Sequence, residues 1–309
     1  MNGLRARIIL LLINDQKGIL TVNISNIYLN IKNSNIMIKI NHISFEYPGR
    51  KHPVFEDLSF SLESNHIYGL LGKNGMGKST LLYLISGLLR PKSGEILVDG
   101  VPSKDRRLSV LQDIFIVPEE YDMPPVTLRE FVKMNEVFYP HFNIEVLRNC
   151  LRDFELSEEP NLKELSMGQK KKIYMSFALA SGTRYLLMDE PTNGLDIPSK
   201  SLFRKVVAQN VTEGSTLIIS THQVHDLESL LDHIIILDNS HILVNSSVAD
   251  ITGKYTFSFR SAQEMDDVLY AEPSFQGNAA ISLRKPEDEE TTLNLELFFN
   301  AATKGRLNY

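Results

Sequence analysis

The chain has 309 residues, enough for one large domain or two modest ones around a sizeable core. A hydrophobic fraction of 43%, a charged fraction of 23% and a net charge of −6 describe an ordinary globular protein, with no sign of a basic nucleic-acid binder beyond a local patch. The lone cysteine, Cys150, cannot close an internal disulfide, which fits a reducing, cytosolic setting, and nothing around it looks like an activated thiol.

Residues 1–36 are rich in Ile and Asn and carry neither a helix nor a strand period, so they read as a disordered or non-native extension ahead of a true start at Met37. Their best apolar run, Ile8 to Ile13, is far short of the roughly 20 residues of a spanning helix. It follows Arg5 and Arg7, but no small-residue cleavage site comes after it, which argues against a signal peptide. No other segment is long enough to span a bilayer, so work at a membrane requires another chain to hold this one there. At Met37 the text begins to alternate like a half-buried strand. From there to about Asp238 strands and helices alternate, which predicts an α/β core over residues 37–238. The β-rich runs are Ile67–Leu71, Ile114–Val117, Tyr185–Met188, Thr216–Ile219 and Ile234–Leu237. A helical stretch is expected at Leu81–Leu89, and the pattern is mostly helical over about residues 118–179. Residues 239–309 read as a separate accessory region with strands at Tyr255–Arg260 and Ala280–Arg284. A last helix there is capped by Asn294 and gathers Leu295, Phe298 and Phe299 on one face. The acidic run Glu287–Glu290 reads as a solvated loop.

Residues 72–80, Gly-Lys-Asn-Gly-Met-Gly-Lys-Ser-Thr, match the phosphate-loop pattern, which chance produces roughly once per hundred chains of this length. An apolar strand precedes the loop and a helical stretch follows, the setting its mechanism requires. Gly72, Gly75 and Gly77 let backbone N–H groups approach phosphate oxygens. The helix beginning near Lys78 adds its positive end. Lys78 can place a charge on the β- and γ-phosphates, and Ser79 can bind Mg²⁺.

Further motifs follow in order: Leu-Ser-Met-Gly-Gln at 165–169, Tyr-Leu-Leu-Met-Asp-Glu at 185–190, Gly194-Leu195-Asp196, and Ser220-Thr221-His222 after a strand. With them, about residues 37–245 closely resemble the nucleotide-binding domain of the ABC ATPases. The resemblance implies a P-loop NTPase cassette with a RecA-like core, an antiparallel β subdomain and a helical subdomain, here followed by a small α+β extension. It implies ATP and Mg²⁺ as ligands, and a dimer that sandwiches two ATP molecules. In that dimer Ser166, Gly168 and Gln169 would meet the γ-phosphate held by the partner's loop, and Asp196 would lie at the crossing. Asn74 and Thr80 join the loop residues in holding nucleotide, and Tyr47 matches the aromatic that stacks on adenine. Asp189 would hold Mg²⁺ through water, Glu190 would polarise the attacking water, and His222 would touch the γ-phosphate.

One position departs from the family. Where a magnesium-linked glutamine usually follows the strand, this chain has Val117-Pro118-Glu119-Glu120, so Glu119 is either the metal-linked sensor or a surface glutamate beside a shifted loop. Between Tyr121 and Tyr139 lies the segment that would receive a membrane subunit, with Met123, Pro124, Pro125 and Phe131 either contacting it or belonging to the core. The expected role is the motor subunit of a transporter, more export-like than import-like. It would sit peripherally on the cytoplasmic face through an integral membrane subunit on a separate chain, with a second ATPase subunit and no nucleic acid. The competing reading is a soluble ABC ATPase that acts on ribosomes or DNA. A single cassette and the lack of sustained heptads weigh against it.

Overall fold

The computed structural model describes residues 36–49, 52–211 and 214–307. Apart from Ile36, the extension expected over residues 1–36 lies outside them. Along the chain come strands β1 (Ile36–Phe45), β2 (Phe55–Glu63) and β3 (Ile67–Leu71), helix α1 (Lys78–Ile85), strands β4 (Ser93–Val98) and β5 (Val101–Pro102), helix α2 (Leu108–Leu111) and strand β6 (Ile114–Val117). Helices α3 (Leu128–Asn135), α4 (Ile144–Asp153) and α5 (Met167–Ala180) follow, then β7 (Tyr185–Asp189), α6 (Ile197–Asn210), β8 (Thr216–Thr221), β9 (His233–Asp238) and β10 (His241–Ser247). The last part holds α7 (Val248–Lys254), β11 (Tyr255–Arg260), β12 (Val268–Ser274), β13 (Gly277–Leu283) and α8 (Leu295–Thr303).

The main sheet has the order β10-β9-β3-β8-β7-β6. Its four pairings from β9 through β3, β8 and β7 to β6 are parallel, and β10 joins β9 as an antiparallel edge. The middle strands are buried on both faces, which is why they read as unbroken apolar runs rather than as alternations. A smaller sheet, β2-β1-β4-β5, has β4 antiparallel to both β1 and β5. It closes over α1, and Ile38, Ile40, Phe55, Leu82 and Ile85 share a core there with Ile235 and Leu237 of β9.

A second core lies under the helical stretch. It runs from Phe131 of α3, Leu147 of α4 and Phe177 of α5 to Phe203 of α6 and Ile234 of β9. The same cluster continues into Tyr255, Phe257, Ile281 and Phe298. The sheet β11-β13-β12 and α8 are therefore packed onto the main core. The stretch expected as an accessory region from residue 239 accordingly begins with β10, a strand of the main sheet. Asn294 caps α8, its side chain accepting from the Leu297 amide at 3.0 Å, and Leu295 and Phe298 are fully buried.

Candidate functional site

The loop from Gly72 to Gly77 leaves the end of β3 and turns into α1. A Cβ on Gly72 would lie 2.6 Å from the Leu237 carbonyl oxygen, so the close pass beneath β9 leaves no room for a side chain. Gly77, the residue before α1, has φ +97°, and a Cβ there would sit 2.7 Å from Val54 and 2.8 Å from the Phe55 ring. Only glycine satisfies both conditions. The loop forms one wall of a cleft of about 660 Å³. Tyr47, Asn74, Gly75, Lys78, Ser79 and Thr80 line it on this side, and Glu119, Glu190, Asn193 and His222 face them. Tyr47 packs edge-on to Phe45 at 4.9 Å, and its hydroxyl lies 3.1 Å from that of Thr80.

Lys78 is only 6% exposed. Its Nζ donates to the Gly72 carbonyl at 2.8 Å and stands 3.6 Å from a carboxylate oxygen of Glu190. Burial holds this ammonium below the usual lysine range, with Glu190 and Asp189 pulling the other way. Asp189 ends β7 and is almost wholly buried. It accepts from Ser220 at 2.5 Å and from Ser79. Burial raises its pKa, and those two hydroxyls oppose the rise.

Glu190 follows at φ +45°, a left-handed conformation that a non-glycine residue rarely adopts. Its amide is held by the Ser220 carbonyl at 3.1 Å, so the β7–β8 pairing maintains the turn. The turn aims the 5%-exposed side chain back at the cleft. There one carboxylate oxygen lies 2.8 Å from Nδ1 of His222 and faces Lys78. Glu119 reaches the same cleft after β6, its carboxylate accepting from the Asn193 amide at 2.8 Å. Asn193 and Ser220 were not singled out as site residues by sequence. Asn193 lies between the Asp-Glu pair and Gly194, but nothing local marks its contact with Glu119.

These residues fit a nucleotide phosphate. Gly72 and Gly77 pack so tightly on Leu237, Val54 and Phe55 that they fix the loop, Gly75 faces open space in the cleft, and the buried Lys78 ammonium stands beside it. Among the described residues no group of three or more His, Cys, Asp or Glu side chains converges as a metal cluster. Mg²⁺ is commonly held by one or two carboxylates plus substrate phosphates. The Ser79–Asp189 pair, with Glu119 across the cleft, therefore suits a cation that arrives with the nucleotide.

Comparison with known proteins agrees. The family model described as "ABC transporter" matches residues 55–193. The chain is 31% identical over 210 residues to the ABC transporter ATP-binding protein YtrB of Bacillus subtilis, covering 67% of this chain and 70% of that protein. The chain belongs to the ABC transporter ATP-binding family. It is also 30% identical to the methionine import ATP-binding protein MetN of Carboxydothermus hydrogenoformans, over 70% of this chain and 67% of that protein. With the SkfA peptide export ATP-binding protein SkfE of B. subtilis it shares 30% identity, over 61% of this chain and 80% of that protein. Among solved structures, the ATP-binding subunit of an ABC transporter superposes with a TM-score of 0.62 at 25% identity, over 70% of this chain and 91% of that one.

Gly72 and Asp189 stand just behind the cleft lining, touching Lys78 and Ser79, whereas four candidates of this ABC chain lie apart from the cleft. Ser166 caps α5 in a reciprocal box: its hydroxyl accepts from the Gln169 amide at 3.3 Å, and the Gln169 side chain accepts from the Ser166 amide at 3.0 Å. A Cβ on Gly168 would meet nothing within 4 Å. Asp196 caps α6 by accepting from the Ser199 amide at 2.8 Å, and the Ser199 hydroxyl together with that amide holds its carboxyl below the usual range. All four lie at solvent-facing helix starts of the single chain. Of the segment expected to receive a membrane subunit, Phe131 is in the core and Met123 packs against it.

Proposed function

We propose that this chain is the ATP-hydrolysing motor subunit of an exporter, closing with a second ATPase subunit around two ATP molecules to drive a separate integral membrane subunit. The observation that carries the hydrolytic reading is the Glu190 carboxylate, turned into the phosphate-loop cleft by a strained backbone and set between Lys78 and His222. Lys78 binds the β- and γ-phosphate charge. Glu190 takes up the proton of the attacking water, and His222 holds that carboxylate in place. Ser79, Asp189 and Glu119 would hold Mg²⁺, which when bound draws charge off the phosphate oxygens. Tyr47 offers a flat face for the base. Ser166, Gly168, Gln169 and Asp196 serve the nucleotide on the opposing subunit, which fits their place outside this chain's own cleft.

The membrane subunit docks on an apolar cleft of about 460 Å³ bordered by Leu88, Leu108 and Phe138. These three side chains are 54%, 66% and 60% exposed. Contiguous exposed apolar surface of this kind marks an interaction site. Among the described residues no helix is long and apolar enough to cross a membrane. Placement of the motor on the cytoplasmic face through its partner is part of the same proposal. The wording of residues 192–196 and the relationship to SkfE support export; MetN, named for import, supports the opposite direction, and uptake into inverted vesicles decides between them.

The test of hydrolysis is Glu190→Gln. Turnover should fall on the order of 10²–10⁴-fold while ATP binding persists and an ATP-bound dimer accumulates. Unchanged turnover would overturn the assignment. Affinity capture from solubilised membranes should recover an integral membrane protein, and recovery of ribosomal proteins alone would sink the transporter role.

A further inference from the structure

Lys171 is a buried cation with no part in the scheme above. It lies in the first turns of α5, is 8% exposed, and is the middle one of three consecutive lysines. An ammonium is costly to bury without partners. Here Nζ donates to the carbonyls of Glu190 at 2.9 Å and of Asn193 at 2.8 Å. Those carbonyls delimit the turn that presents Glu190 to the cleft. The Asn193 side chain in turn donates to Glu119 at 2.8 Å. A single residue thus joins the two: its carbonyl takes the Lys171 ammonium and its amide grips the Glu119 carboxylate. Burial lowers the pKa of Lys171, while Glu119, Glu190 and Asp189 favour its charge. Three carboxylates would otherwise face a triphosphate with Lys78 as their only buried ammonium among the cleft residues.

We propose that Lys171 is a positioning residue that anchors the Glu190–Asn193 turn to α5 and, through Asn193, allows a carboxylate at position 119 to stand beside the phosphate site. The proposal rests on the ATPase reading. It also links the cap residue Ser166, at the start of α5, to Glu119 and Glu190 through one side chain. Movement of that helix would be felt at both carboxylates.

The test is a double-mutant cycle on the full chain with Lys171→Met and Glu119→Gln. Without nucleotide, denaturant unfolding should show that Lys171→Met weakens the fold less in the Glu119→Gln background than alone. The discrepancy should be at least about threefold in the unfolding equilibrium constant. With MgATP, Lys171→Met should lower kcat on the order of 10–100-fold with KM within about threefold, and Lys171→Arg should restore most of the rate. If Lys171→Met does not fold, Lys171→Gln removes the charge while keeping a donor, and the same comparison is made with it. Additive unfolding effects together with an unchanged kcat would overturn the proposal. A wild-type chain without Glu190-dependent hydrolysis would overturn the ATPase reading and the catalytic half of this one, while the nucleotide-free cycle still decides the coupling.

Discussion

Replacing Lys78 by Met removes a charge and keeps an apolar stem of similar length. At 3.6 Å from Glu190, the attraction lost is about 4–5 kcal/mol at an effective dielectric near 20. The Gly72 carbonyl also loses its 2.8 Å donor, at about 1–3 kcal/mol. Against these stands the desolvation of an ammonium that is only 6% exposed. The lowered pKa of Lys78 shows that desolvation outweighs the attractions. That balance compares a charged with a neutral lysine, whereas Met in its place also leaves the buried Glu190 carboxylate without its ammonium. Removal of one partner of a buried pair should destabilise the nucleotide-free chain by about 3–5 kcal/mol. Nucleotide affinity should fall as well. Loss of a hydrogen bond to a charged group, worth about 1.5–3 kcal/mol, weakens ATP binding on the order of 10–150-fold. Thermal melts with and without MgATP read both effects: a lowered Tm without ligand, and a collapsed ligand-induced shift. A ligand-free loss below about 1 kcal/mol would refute the reasoning and show that Glu190 does not depend on the Lys78 charge.

Gly77→Ala meets both a positive φ and a 2.7 Å contact, so it should lower stability by about 1–3 kcal/mol or more in denaturant unfolding. Gly168→Ala meets nothing within 4 Å and should raise single-chain stability by up to about 1 kcal/mol, yet depress turnover wherever a second subunit's nucleotide must approach that helix start. The Cys150 thiol is buried and pushed up to about 12 from an ordinary 9, so a thiol reagent at neutral pH should label it only after unfolding. By the same linkage its contribution to stability is complete below about pH 9 and fades as pH rises toward 12. Phe298→Ala empties a fully buried site in α8 and should cost about 3–5 kcal/mol, read as a single cooperative shift if the C-terminal sheet and the main core unfold together.

Local chemistry is what the sequence displayed best. The phosphate loop is contiguous, its glycines are demanded by backbone geometry, and the apolar runs of β3, β7, β8 and β9 are those of parallel strands covered on both sides. The Asn294 cap was legible because its partner lies three residues away. Strand β12 was not read: it forms the edge of its sheet, is mostly half-exposed and contains Pro273, which only an edge tolerates. Lys171 was hidden for a different reason. Among three consecutive lysines nothing local marks the middle one, and its burial follows from sharing a helix face with Met175 and Ala178, which pack into the core. The Asn193 bridge joins residues 74 positions apart and has no local signature at all.

The antiparallel edge made by β10 bears on how the chain is synthesised. Strand β9 reads His-Ile-Ile-Ile-Leu-Asp and pairs with β3 on one side and β10 on the other. β3 must itself wait for β8, with Ile67 opposite Leu217. During translation the sheet grows outward from strands made far apart, and β9 presents an apolar, unpaired edge until residues 241–247 have emerged. Such an edge invites pairing with other chains. The seven residues of β10 thus act as a seal applied last, and a polypeptide released just before them would leave the ribosome with its stickiest margin open.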